Sequence, residues 1–188
     1  TDIQAMYQAL MAEGELNLAG GIHLSLSPIN SPARPRLLIC NPNTLNAQFH
    51  LSDPQVLALS SIEKPLICVR PIKDHPKLNQ PLYNLCFAYN RLLVILAEHL
   101  RQHGTDWVYL DDPAQGEALA YIDGQWADIH SSQSSSIRID SAKQPLHEAV
   151  LLAEQEIYYC ASHSDKPKGH YRVEKGPKVK AQLRELNE

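Results

Sequence analysis

Residues 81 to 104 constrain the fold most, because nothing between Pro81 and Gly104 breaks a helix. Pro81 suits a first helical position, where its missing N–H costs nothing, and Gly104 suits the left-handed residue just past a C-terminus. At about 1.5 Å per residue, the segment predicts a helix of roughly 35 Å. Asn84, Arg91 and Glu98 recur every seven residues with Arg101 and Gln102 beside them, and apolar side chains fill most of the remaining circumference. Such a helix is expected to be covered on more than one side, so the rest of the chain must supply a sheet and further protein around residues 81–103.

Two runs have the character of strands buried on both faces. Residues 36–40 and 65–70 are apolar without alternation, stop at Pro42 and Pro71, and enclose a short helix capped by Asp53 with Pro54 at its first position. Strand, helix and strand over this length predict a βαβ unit with parallel strands. Residues 106–110, ending at Asp111-Asp112-Pro113, add a third parallel strand after the long helix. Earlier in the chain, Ile3, Met6, Tyr7 and Leu10 form one helical stripe with Gly14 as its stop, and Ile22 to Ser27 alternate as a half-exposed strand should.

Beyond residue 113, Asp123-Gly124 between alternating runs predicts an antiparallel hairpin over residues 118–129. Ile137-Arg138-Ile139 reads as a short strand. Leu146, Val150, Ala153, Ile157 and Cys160 are spaced for a last long helix over residues 145–162. Lys166 to Val173 suit a strand-like arm, and Lys178 to Asn187 a short helix that needs docking to be stable. The expected fold is therefore α/β in three layers. It has a mixed sheet with parallel strands near 36–40, 65–70 and 106–110 plus the hairpin, covered by helices 81–103 and 145–162.

The 188 residues fit one domain over residues 1–162 with a basic C-terminal arm over residues 163–188. The body carries 10 Lys and Arg against 17 Asp and Glu, whereas the arm carries 7 against 4. No apolar run approaches the roughly 18 residues that span a bilayer, so no membrane partner is expected. Thr1 to Gln4 lack both an initiator Met and the basic-then-apolar order of a signal peptide, and read as a trimmed end. Cys40, Cys68, Cys86 and Cys160 lie in separate regular elements without a C-x-x-C pair, which predicts reduced thiols and a cytoplasmic location.

Several constellations carry chemistry in principle. In open α/β sheets ligands sit beyond the carboxyl ends of parallel strands, and those ends would supply Asn41 and Asn43, Arg70 with Lys73 and Asp74, and Asp111 with Asp112. Asp111 and Asp112 would hold Mg²⁺ through oxygen while Arg70 neutralises a phosphate. The competing reading is that Asp-Asp-Pro simply ends a strand. Neither G-x-G-x-x-G nor G-x-x-x-x-G-K-[ST] occurs. Cys86 in the first turns of a helix, with His130 or His170 as base, would suit thiol chemistry, but its neighbours Leu85 and Phe87 suit packing instead. For metal, Cys160, His163 and His170 lack a fourth ligand, and the i,i+4 pair His99 and His103 lacks the Glu of a zinc-protease helix, so no metal ligand is assigned. On the arm, Lys166, Lys168, His170, Tyr171, Arg172, Lys175, Lys178 and Lys180 could follow phosphates and stack a base.

Each catalytic arrangement has a simpler structural explanation. The expected function is accordingly a non-catalytic binding or regulatory module, without a cofactor, that engages a protein partner and contacts nucleic acid through its arm. The alternative is a small Mg²⁺-dependent hydrolase of a phosphate-containing substrate, with Asp111 and Asp112 on the metal and Arg70 on the anion.

Overall fold

A computed structural model describes residues 2–31, 33–72, 74–80, 82–116, 118–122, 125–129, 136–142, 150–153, 156–162 and 171–176. In chain order its elements are α1 (Ile3–Glu13), β1 (Glu15–Asn17), β2 (His23–Ser25), β3 (Arg36–Ile39), α2 (Leu45–Gln48), β4 (Phe49–His50), α3 (Asp53–Leu59), β5 (Leu66–Pro71), β6 (Tyr83–Cys86) and α4 (Arg91–Gln102). There follow β7 (Trp107–Asp111), β8 (Ala118–Ile122), β9 (Gln125–Ile129), β10 (Ser136–Ala142), β11 (Val150–Ala153), β12 (Glu156–Ser162) and β13 (Tyr171–Gly176). The strands form one sheet in the order β1-β2-β7-β3-β6-β5-β8-β9-β10-β13-β12-β11, with β4 paired to β5 beside that path. Among the described pairs, β3 with β6 and β5 with β8 are parallel and the others antiparallel. A mixed sheet flanked by helices is the expected α/β architecture. No helix among the described residues is long and apolar enough to cross a membrane.

Three predicted elements take a different form. The helix expected over 81–103 is a strand followed by a shorter helix. Leu82 to Cys86 are all buried, a run that an extended chain between two neighbours accommodates and one side of a helix does not. Asn90 then caps α4, its Oδ1 accepting from the Leu93 amide at 2.8 Å. That hidden strand also overturns the parallel arrangement of the 36–40, 65–70 and 106–110 strands. β6 lies between β3 and β5, parallel to the first and antiparallel to the second, while β7 runs antiparallel to β3 on its other side. The predicted helix over 145–162 is the strand pair β11 and β12. Its apolar spacing matched a helix, but Ile157, Tyr158 and Tyr159 are strong strand formers, and β12 pairs along its length with β13.

Other expectations hold. The hairpin has the register Ala118↔Ile129 through Ile122↔Gln125. α1 starts at Asp2, whose Oδ1 accepts from the Gln4 amide at 2.9 Å, and stops at Gly14 in the left-handed region with φ 78°. α3 begins one residue earlier than read. Ser52 caps it, and its amide donates to Gln55 Oε1 at 2.9 Å, half of a capping box. The predicted terminal helix 178–187 lies outside the described residues.

Because strand side chains alternate, the sheet builds a core on each face. On one face Leu38, Cys40, Cys68, Cys86, Val108 and Leu110 pack under Leu93, Leu96 and Leu100 of α4 and Leu10 of α1. On the other, Leu37, Ile39, Ile67, Val69, Leu85 and Tyr109 meet Leu45, Phe49, Leu59 and Leu78. The edge strand β11 returns to within 8 Å of β5 between Cα atoms, so the sheet curls.

Candidate anion-binding face

The α4 face of the sheet gathers arginines where β3 and β6 begin and β5 ends. Arg36 and Asn84 are level in the parallel ladder, and Asn84 faces Cys68 across the next. Arg34, two residues before Arg36, is 1% exposed, and its Nε donates to Asn84 Oδ1 at 3.1 Å. Asn84 is fully buried, and its Nδ2 has no hydrogen-bond partner. Arg36 donates from Nη1 to the Asp112 carbonyl at 3.2 Å and to Gln115 Oε1 at 3.4 Å. Gln115 Nε2 in turn donates to Cys86 Sγ at 3.5 Å.

Alternation along β5 puts Arg70 on the same face as Cys68, opposite His50 of β4. Arg70 lines a cavity of about 410 Å³ with His50, Ser52, Gln55, Leu82 and Tyr121. Its Nη1 is shielded from solvent and has no hydrogen-bond partner. A buried guanidinium donor without an acceptor is costly, and an anion in the cavity would relieve that cost.

Electrostatics on this face disfavour nucleophilic chemistry. Burial pushes the Cys86 thiol up to about 12, against the smaller opposing effects of the Gln115 hydrogen bond and the Arg36 charge. Cys40 is likewise pushed up to about 12 by burial, with the Asp106 carboxylate adding to the rise. Burial raises Cys68 as well, and the nearby Arg34 charge works against it. Cys86, expected near a helix N-terminus, ends β6 instead, without a helix dipole to lower its pKa. All three thiols are free and buried. His130, His163 and His170 lie outside the described residues.

Asp111 and Asp112 do not converge. Asp111 ends β7 and is exposed, while Asp112, just past the strand, is 4% exposed. The Asp112 carboxylate accepts from the Tyr89 hydroxyl and, at 2.9 Å, from the Ala114 amide. Burial, followed by that bond, raises the Tyr89 phenol above its ordinary value. Registers place Asp112 level with Arg70 but three strand spacings away, roughly 14 Å. Among the described residues, no group of three or more His, Cys, Asp and Glu is disposed to hold a metal. Asn41 and Asn43 lie at the opposite end of the sheet, because β3 runs against β5 and β7.

On the basic segment, Tyr171, Arg172 and Lys175 belong to β13, hydrogen-bonded between β10 and β12. Lys166, Lys168, His170, Lys178 and Lys180 lie outside the described residues, as does Lys73. Sequence reasoning found Arg70 but missed Arg34, Asn84 and His50. The one available signal was an arginine pair set between prolines, Pro32-Ala33-Arg34-Pro35-Arg36.

No family model matches the chain, and no curated protein matches it. Among solved structures it is similar to part of HypF, in a crystal structure of the full-length protein in its phosphate- and nucleotide-bound form. The TM-score is 0.52 and the identity 10%, over 92% of this chain and 29% of that one. At that identity the likeness concerns the fold, and the chain spans less than a third of the HypF length.

Proposed function

We propose that the protein is a non-catalytic binding module that takes a small phosphate-bearing anion on its arginine face. The observation that carries this reading is the buried, unpartnered Nη1 of Arg70 beside a cavity of about 410 Å³. Such a volume suits a small ligand, and the apolar floor of Cys68, Leu82 and Ala120 with a few polar groups above it is how such sites are commonly built. Arg34 and Arg36 add positive charge on the same face. The similar HypF structure holds phosphate and a nucleotide, which supports the same ligand class here. The separation of Asp111 from Asp112, and the engagement of Asp112 by Tyr89, favour binding over metal-assisted hydrolysis.

A titration of the intact chain with inorganic phosphate and with ATP tests the reading. Arg70→Ala should weaken binding roughly tenfold or more, because a hydrogen bond to a charged group contributes about 1.5–3 kcal/mol. Absence of binding at about 10 mM of either ligand, a level that corresponds to a binding free energy of only about −2.7 kcal/mol, or equal affinity in the variant, overturns it.

A second reading is engagement of a protein partner through the outer side of α4. It is favoured by the exposure there of Val94 at 52% and Ile95 at 41%. Pull-down with the unmodified chain but not with Val94→Asp is the expected result.

A further inference from the structure

A second cavity, of about 540 Å³, opens at the opposite end of the sheet, where α1 ends and β7 begins. Its lining includes Met11, Leu26, Gln48, Lys77, Asp106 and Trp107. Three independent observations distinguish it. Gln48 Nε2 donates to Asp106 Oδ2 at 2.9 Å, and since a carboxylate only accepts, this fixes the amide orientation and leaves Gln48 Oε1 as the other acceptor. That Oε1 is shielded from solvent and receives no hydrogen bond. Beside these two acceptors stand Met11, 37% exposed, and Leu26, 39% exposed, both large apolar side chains left open to solvent.

Both acceptors are held by their own backbones. The Gln48 carbonyl receives the Ile72 amide at 2.8 Å, and the next residue, Phe49, is buried. The Asp106 carbonyl receives the amides of Cys40 at 2.8 Å and Asn41 at 2.9 Å. The acceptor pair is thus fixed before any ligand arrives, which lowers the cost of binding. Trp107 belongs to the same lining, and its ring packs edge-on against Tyr109 at 5.3 Å where it joins the core of that sheet face.

We propose that this cavity binds a protonated amine or amidine carried on a small apolar body. The cationic N–H groups donate to the Asp106 carboxylate and to Gln48 Oε1, while the body rests on Met11, Leu26 and Trp107. A charge-assisted bond satisfies the carboxylate, a neutral one relieves the orphaned amide oxygen, and an aromatic wall favours a cation nearby. Lys77 lies exposed at the rim, where its ammonium stays in water and does not occupy the acceptors. This inference is independent of the arginine face, which lies at the other end of the sheet and selects the opposite charge.

The chain has two tryptophans, so Trp126→Phe leaves Trp107 as the only one, and its emission reports on the cavity. Phenethylammonium should change that emission saturably below about 10 mM, and the uncharged isostere phenethyl alcohol should bind roughly tenfold more weakly, the worth of one charge-assisted contact. Asp106→Asn removes the charge and keeps an acceptor for Gln48, and should cost a similar factor. Equal binding of the alcohol and the ammonium by the unmutated site would overturn the proposal without depending on how any Asp106 variant folds. So would an affinity unaltered by Asp106→Asn, or the lack of a saturable response.

Discussion

Arg34 and Asn84, fifty residues apart in the chain, meet at 3.1 Å inside the protein with neither side chain open to water. A guanidinium is always charged, and it stays buried only where its donors find acceptors. Asn84→Leu keeps the volume but removes the acceptor from Arg34 Nε. A buried donor stripped of its partner costs about 1–3 kcal/mol, so the variant should unfold at lower urea with an unchanged m-value. It should also bind phosphate less tightly, because the bond that orients the guanidinium Nε is then lost. An unaltered urea midpoint would mean that Asn84 does not support Arg34.

The buried thiols predict a loss of stability in alkali. Cys40 and Cys86 are raised from an ordinary 9.0 to about 12. A thiol raised on folding keeps its proton in the native state after the unfolded chain has lost it. The stabilisation is therefore complete below pH 9 and lost as pH rises from about 9 toward 12. Each such group contributes a slope of up to about 1.4 kcal/mol per pH unit, so urea melts at pH 8 and pH 10 should differ by roughly 2 to 3 kcal/mol. The double variant Cys40→Ala/Cys86→Ala should flatten that difference, and a profile unchanged by it would remove the thiols as the cause.

α4 presents one face to the sheet and one to water, and the two should respond unequally. Leu96 is fully buried beneath the helix, so Leu96→Ala is expected to cost about 2–5 kcal/mol by opening a cavity. Val94→Ala, on the outer side, should stay within about 0.5 kcal/mol. Similar thermal shifts for the two would contradict the orientation of the helix.

Ser52 starts α3 beside the Arg70 cavity, its hydroxyl donating to Gln55 Oε1 at 3.1 Å. Ser52→Ala should cost about 1 kcal/mol in thermal stability through loss of the cap. Phosphate affinity should fall less than in Arg70→Ala, since the hydroxyl shapes the wall and carries no charge. A larger fall than in Arg70→Ala would move the anion contact from the guanidinium to the loop.

Much of the sheet was legible because its grammar is local. The unalternating runs at 36–40 and 65–70, the alternating runs that pair as the 118–129 hairpin, and the Gly14 stop of α1 each carry their signal within a few residues. Tyr83–Cys86 was not, since Pro81 and Gly104 frame an unbroken apolar stretch and Asn90 looks like any polar residue until its side chain is seen capping α4. The 145–162 segment failed for a related reason. Apolar residues three or four apart fit a helix, and only the partner strand β13 decides otherwise. At the candidate site Arg70 was visible as a cation at a strand end. Arg34 and Asn84 were hidden because burial of a charge is a tertiary fact. The divergence of Asp111 and Asp112 was hidden in the same way, because β7 ends at Asp111 and the burial of Asp112 against Tyr89 just past it is a tertiary fact.

β7 sits between β2 and β3, although it is made some seventy residues after the latter. A chain emerging from the ribosome therefore holds those two segments with open main-chain edges until residue 111 has been synthesised. Exposed edges recruit other strands. Nascent chains shorter than this are the ones expected to need a chaperone, and a stop codon or protease cut ahead of Trp107 should yield aggregate in place of a smaller soluble product.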